Sequence, residues 1–169
     1  MIRSIVRYGQ RVLHEPAQPV ESITPDLQSL IDDMIETMYA APGIGLAAPQ
    51  IGVALRLFVV DISVGRAAAD LTVFINPTFI VREGMQKEDE GCLSLPGFNA
   101  TVVRPTRAIV SGLGRDGREQ TVEGSGLLAR AFQHEMDHLD GTLFVDRLRG
   151  IKRELILRKV NKLRRSGKW

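Results

Sequence analysis

A chain of 169 residues with a single cysteine, Cys92, cannot close an internal disulfide, so covalent stapling plays no part in its fold and a reducing compartment suits it. It also lacks long apolar runs. Stretches such as Leu57 to Val60 fall far short of the roughly 20 residues that a bilayer-spanning helix needs. The opening residues, MIRSIVRYGQ, carry charge among their apolar positions and hold no continuous segment of the secretory kind, which makes the cytoplasm the expected location. No internal repeat, low-complexity segment or linker divides the chain, so a single domain over 1–169 is predicted. What is present, 44% hydrophobic and 25% charged residues, is the composition of an ordinary soluble protein.

The net charge of +2 conceals a sorting along the chain. Arg147 to Trp169 hold ten basic residues and one acidic residue, Glu154, for +9, while everything before them carries −7. An acidic body with a basic tail points to polyanionic partners, RNA first.

Thr24 is placed to cap a helix with Pro25 in its first turn, and Leu27, Leu30, Ile31, Met34, Ile35 and Met38 follow at helical spacing until Pro42 and Gly43 break it. Strands are expected at Leu55 to Ile62, Leu71 to Asn76 and Phe79 to Val81. A hairpin pairs Ala108 to Leu113 with Glu119 to Val122 across a turn containing Asp116 and Gly117. A second helix begins after Ser125 and ends at Gly141. A third runs from about Leu148 to Leu163, with Leu148, Ile151, Leu155, Ile156 and Val160 as its apolar stripe. Strands without intervening helices make the class α+β, with antiparallel or mixed sheets packed around the second helix and an amphipathic helix at the C-terminal end.

The second helix carries the chemistry. His134-Glu135-Met136-Asp137-His138 sets two of the chain's three histidines four residues apart on one helix face, where both reach one metal ion, with Glu135 beside them as a candidate base. A catalytic ion of this kind needs a third protein ligand. The longer metalloprotease pattern would place a histidine at position 144, which is Phe, and Glu154 stands alone in a basic helix. Cys92 remains as a soft donor for divalent iron, zinc, cobalt or nickel; its other reading is a small buried apolar side chain.

Three separated segments, GIGLAAPQ at 43–50, EGCLSLPG at 90–97 and QHEMDHLDG at 133–141, resemble the three signature motifs of peptide deformylases in order and spacing. The likeness runs over essentially the whole chain, and its basic C-terminal helix is similar to that of the bacterial type 1 branch. The resemblance implies a metal held by Cys92, His134 and His138, Fe2+ natively with Zn2+, Ni2+ or Co2+ able to substitute. It further implies Glu135 as general acid/base and Gln50 with the Leu93 N–H as oxyanion donors. The activity implied is removal of the formyl group from the N-terminal formyl-methionine of nascent polypeptides, with water activated by the ion.

By the same resemblance Gly45 and Gly91 pair with the extended substrate, ordinary turn glycines being the alternative. Ile44, Leu127 and Ala131 line the methionine pocket, plain core packing being theirs. The implied partners are formyl-Met nascent chains and, through the basic helix, the ribosome, with no membrane and no DNA. Some relatives place an arginine shortly after the cysteine motif; here that position is Asn99, and Arg130 is expected either to supply part of the contact or to face solvent. Two other readings share features of the chain: an HExxH endopeptidase, and a non-catalytic RNA- or ribosome-binding module defined by the tail.

Overall fold

Helix α1 (Pro25–Ala40) begins where Thr24 Oγ1 accepts a hydrogen bond from the Leu27 N–H at 3.2 Å. Leu27, Leu30, Ile31, Met34 and Met38 are buried along one side, as their spacing predicts, and pack against Leu46, Leu57, Val59 and Ile75. The computed structural model describes residues 1–169 and has the α+β class, with three helices and all strands paired antiparallel. One five-stranded sheet has the order β1 (Gly45–Ala47), β2 (Leu57–Val60), β3 (Thr72–Glu83), β6 (Arg107–Leu113), β7 (Glu119–Ser125). A separate two-stranded sheet pairs β4 (Gln86–Gly91) with β5 (Asn99–Arg104).

Helix α2 (Leu127–Leu139) lies on the larger sheet. Its Ala131, Phe132, Met136 and Leu139 meet Phe58, Val60, Phe74 and Val110, and the rings of Phe58, Phe74 and Phe132 sit 5.5 to 6.4 Å apart. Because β1 is an edge strand, this packing sets the start of GIGLAAPQ directly beside the histidine helix.

The expected strand Leu55–Ile62 shortens to Leu57–Val60, and the hairpin of β6 with β7 forms as expected around Asp116 and Gly117. The segments Leu71–Asn76 and Phe79–Val81 are one strand. Pro77 interrupts it only as a bulge, where the register shifts between Ile75 and Thr78. Asn76 adopts φ 51° there, and its side-chain amide bonds both the N–H and the carbonyl of Val20. Strands β4 and β5 were not predicted, because QKEDEG shows no apolar alternation. β4 is held by charge, as described below.

Helix α3 (Ile151–Arg165) starts after Gly150 at φ 66°, three residues later than expected. Its apolar stripe is narrower than the periodicity predicts. Leu148 and Val160 are buried and Ile156 partly so, but Ile151 is 71% and Leu155 47% exposed. Leu157, which the stripe omitted, helps to fill the contact. No helix is long and apolar enough to cross a membrane.

Candidate metal centre

Every residue of α2 from Ala129 to Leu139 is buried, including Arg130, Gln133, His134, Glu135, Asp137 and His138. Charge buried on this scale requires partners. The four-residue spacing stacks His134 and His138 on one face with their Nε2 atoms 3.3 Å apart, and Cys92 Sγ lies 3.4 Å from His138 Nε2. All three ligand atoms fall within 4.8 Å of one another. A tetrahedral ion with bonds of about 2.1 Å to nitrogen and 2.3 Å to sulfur has ligand–ligand edges of about 3.4 to 3.6 Å, so the cluster has the size and the donor set of a divalent transition-metal site.

Burial opposes a charge on either ring. At His138 burial and the neighbouring His134 hold the pKa well below its ordinary value, leaving a lone pair to donate. At His134 burial is outweighed by the Cys92 sulfur and the Glu90 carboxylate, which hold the pKa well above it. A cation at the centre would take the place of that extra proton. His134 gives its Nδ1–H to Glu90 Oε2 at 2.7 Å, which fixes the ring and leaves Nε2 facing Cys92.

Glu135 stands next to this cluster with its Oε2 buried and without a hydrogen-bond partner. Burial pushes its carboxyl up to about 7. A carboxyl poised near neutrality is one that both takes and returns a proton. Gly45 is a glycine because of it: a Cβ there would sit 2.5 Å from Glu135 Oε1. The Asp61 N–H bonds the Ile44 carbonyl, while the Ala47 N–H turns away to Gln50 Oε1 at 3.0 Å. By antiparallel alternation the backbone groups of Gly45 therefore face away from β2, along the open edge of β1.

Gln50 is 1% exposed, so its side chain lies inside the protein and not at the surface. Its Oε1 is engaged by Ala47, and its Nε2 points to Ser94 Oγ at 3.2 Å and toward Cys92 Sγ at 3.6 Å. The Leu93 N–H, one residue after the cysteine, donates to no protein acceptor. Gly91 pairs with Asn99 in the β4–β5 register, and a Cβ there would meet Asn99 Oδ1 at 2.5 Å.

Sequence reasoning did not anticipate the ion network that holds these pieces together. Both oxygens of Glu90 are saturated: Arg104 donates from Nε (2.8 Å) and Nη2 (2.6 Å), Arg130 from Nη1 (2.7 Å), and His134 from Nδ1. Asp137 receives Arg104 Nη1 at 2.9 Å and two bonds of 2.6 Å from Arg147. Arg104 and His134 keep the Glu90 carboxyl ionised well below the usual range, although burial opposes this. Arg130 does not face solvent, since it is 4% exposed and committed to Glu90, Gln86 and the Val102 carbonyl. The usable signal was Asp137, an acidic residue inside a helix otherwise fit for full burial.

Cys92, His134, Glu135, Gln50, Leu93, Gly45 and Gly91 all line one cleft of about 900 Å³, whereas His138 is fully buried and does not. Leu127 stands 52% exposed at its mouth. Ile44 and Ala131 line the cleft and also pack in the Phe58–Phe132 cluster, so core packing does not keep them from facing the cleft.

The polypeptide deformylase family model matches residues 2–154. The chain is 50% identical over 169 residues to a peptide deformylase of Acidobacterium capsulatum, covering 100% of this chain and 99% of that one. It superposes on the crystal structure of a peptide deformylase from Legionella pneumophila with TM-score 0.92 and 45% identity, covering 99% of this chain and 98% of that one. A peptide deformylase from Synechococcus elongatus in complex with actinonin gives TM-score 0.88 and 43% identity, over 93% and 86% of the two chains. On sequence and on structure alike, the chain belongs to the polypeptide deformylase family.

Proposed function

We propose that the cleft removes the N-formyl group from the formyl-methionine of newly made polypeptides, with residues 1–169 acting as one catalytic unit. The observation that carries this reading is the unpaired, buried carboxylate of Glu135 beside the Cys92, His134 and His138 cluster, at the end of a cleft flanked by the open edges of β1 and β4. Cys92, His134 and His138 are the metal ligands, Fe2+ being the native ion with Zn2+, Ni2+ or Co2+ able to substitute. The bound ion supplies Lewis acidity, which makes water a competent nucleophile near neutral pH.

Glu135 takes a proton as water adds to the formyl carbon and returns it to the departing amine, so that formate and a free N-terminus result. As the carbon becomes tetrahedral, negative charge grows on its oxygen. Gln50 Nε2 and the free Leu93 N–H are the donors for it, and one such donor contributes about 3 to 4 kcal/mol in comparable sites. Gly45 and Gly91 pair with the substrate backbone as an added strand, which orients the scissile bond without reading side chains. Ile44, Leu127 and Ala131 receive the methionine side chain. The protein works in the cytoplasm, and the basic segment 147–169 brings it to ribosomal RNA, whose phosphates its ten Lys and Arg side chains complement.

The test is formate release from a short formyl-Met peptide, with cleavage of internal bonds in a longer unformylated peptide as the control. Formate without internal cleavage is expected. Internal cleavage without formate would assign the site to an endopeptidase instead.

A further inference from the structure

A polypeptide substrate has to leave the cleft. With the formyl end at Glu135 and the methionine side chain against Ala131, the remaining opening passes Gly43 and Leu93 to a wall made by the N-terminal segment, residues 2–7. That segment is extended beside the oxyanion donors: the Val6 N–H bonds the Gln50 carbonyl at 2.8 Å, and the Tyr8 N–H bonds the Ser94 carbonyl at 2.9 Å. Val6 and Tyr8 pack inward against the apolar cluster of Leu13, Leu95, Phe144 and Val160, so Arg7 between them points the other way, into the cleft.

The two arginines on this wall differ. Arg3 is tied to Asp33 at 2.7 Å. Arg7 has no ion-pair partner in the protein. Its guanidinium is instead held 5.6 Å from the ring centroid of Trp169. That ring is fixed in turn by a 2.8 Å hydrogen bond from its Nε1–H to the Tyr8 carbonyl and by an edge contact with Phe98 at 6.0 Å. An arginine positioned by an aromatic shelf and lacking a counter-ion is ready to receive a carboxylate in its fork. The other unpaired charge at the cleft rim is Asp89, on β4, which is of opposite sign and on a different wall.

Resting on the deformylase reading, we propose that Arg7, backed by Trp169, is a specificity-determining residue that favours substrates with an acidic side chain downstream of the formyl-methionine. Tyr8 is bonded to Ser94, two residues from Cys92, which sets Arg7 a few extended residues of about 3.3 to 3.6 Å each from the reacting end, and makes the second to fourth residues after the methionine the positions to scan.

The experiment compares paired formyl-Met pentapeptides that carry Glu or Lys at one position, scanned from the second to the fourth residue after the methionine. The quantity read is the Glu-to-Lys ratio of kcat/KM within one protein, which cancels differences in stability or metal content between variants. For the wild type the ratio is expected to be about two- to fivefold at one of these positions, the size of a single exposed ion pair, and to shrink as salt rises. Arg7→Lys should keep most of the preference, Arg7→Ala should lose it, and Arg7→Glu should invert it. Trp169 is the only tryptophan, so its emission reports on Arg7 directly and should respond to the Glu peptide more than to the Lys peptide. A wild-type ratio of one at all positions, or a ratio that survives in Arg7→Glu and moves only in Asp89→Asn, would overturn the proposal while leaving deformylation intact. Absence of formate from both peptides would instead overturn the deformylase reading, and this proposal with it.

Discussion

A methyl group at position 45 would sit 2.5 Å from Glu135 Oε1, so Gly45→Ala should displace the proposed acid/base carboxylate by a large fraction of an ångström. Misplacement on this scale costs roughly 100-fold in turnover, while the backbone at 45 is ordinary extended strand and should keep its fold. Steady-state kinetics with a thermal melt separates the two effects; near-wild-type turnover would show that Glu135 moves aside freely. Glu135→Ala makes the complementary case. It should retain metal by elemental analysis yet lose turnover by about 10²- to 10⁴-fold, because in the proposed mechanism the group that moves the proton is not a ligand. Metal loss as large as that of His134→Ala would reassign Glu135 as a ligand. Cys92→Ser exchanges a thiolate for a poorer neutral donor, so metal content and activity should fall together. Full metal occupancy and full rate in that variant would remove Cys92 from the proposed set.

Among the elements, β4 and α2 depend on each other through charge. Arg104 is 2% exposed and bridges Glu90 of β4 to Asp137 of α2, so Arg104→Ala leaves two buried carboxylates short of a partner. The cost should be about 3 kcal/mol, since Arg130 and Arg147 still offset part of the charge, and at this chain length that lowers the melting midpoint by roughly 6 to 12 °C. Calorimetry of Arg104→Ala beside Ile151→Ser provides the contrast. Ile151 is 71% exposed on α3, and its replacement should change stability by less than about 0.5 kcal/mol. A large loss at Ile151 would mean that the apolar stripe predicted for α3 is buried after all. The elements themselves were legible in uneven measure. Helices α1 and α2 could be read from periodicity because each buries a continuous face. Strands β4 and β5 could not, because the sheet they form is stabilised by an ion network whose members lie far apart along the chain.

For the whole molecule, the separation of an acidic body from a basic tail is the largest-scale feature, and its predicted consequence is association with ribosomes. Reversing Lys159, Lys162, Arg164 and Arg165 to glutamate should abolish most co-sedimentation with ribosomes and leave turnover of a short formyl-Met peptide near wild type. Binding by the unaltered protein should weaken steeply with salt, as counterion release requires. Unchanged co-sedimentation would dismiss the tail as a ribosome anchor and leave the catalytic reading as it stands. The sequence by itself determined the apolar faces of α1 and α2, the α+β class, and the placement of His134 and His138 on one face of a helix beside Glu135. These depend on residue chemistry and on spacings of three and four, which are properties of a linear chain. Only the tertiary structure decided that Arg130 is an internal counter-ion, that Gly45 makes room for Glu135, and that Glu90 fixes His134 from 44 positions away. Such contacts join segments whose separation in sequence carries no information about their distance in space, and they exist only once the core has brought β1, β4 and α2 together.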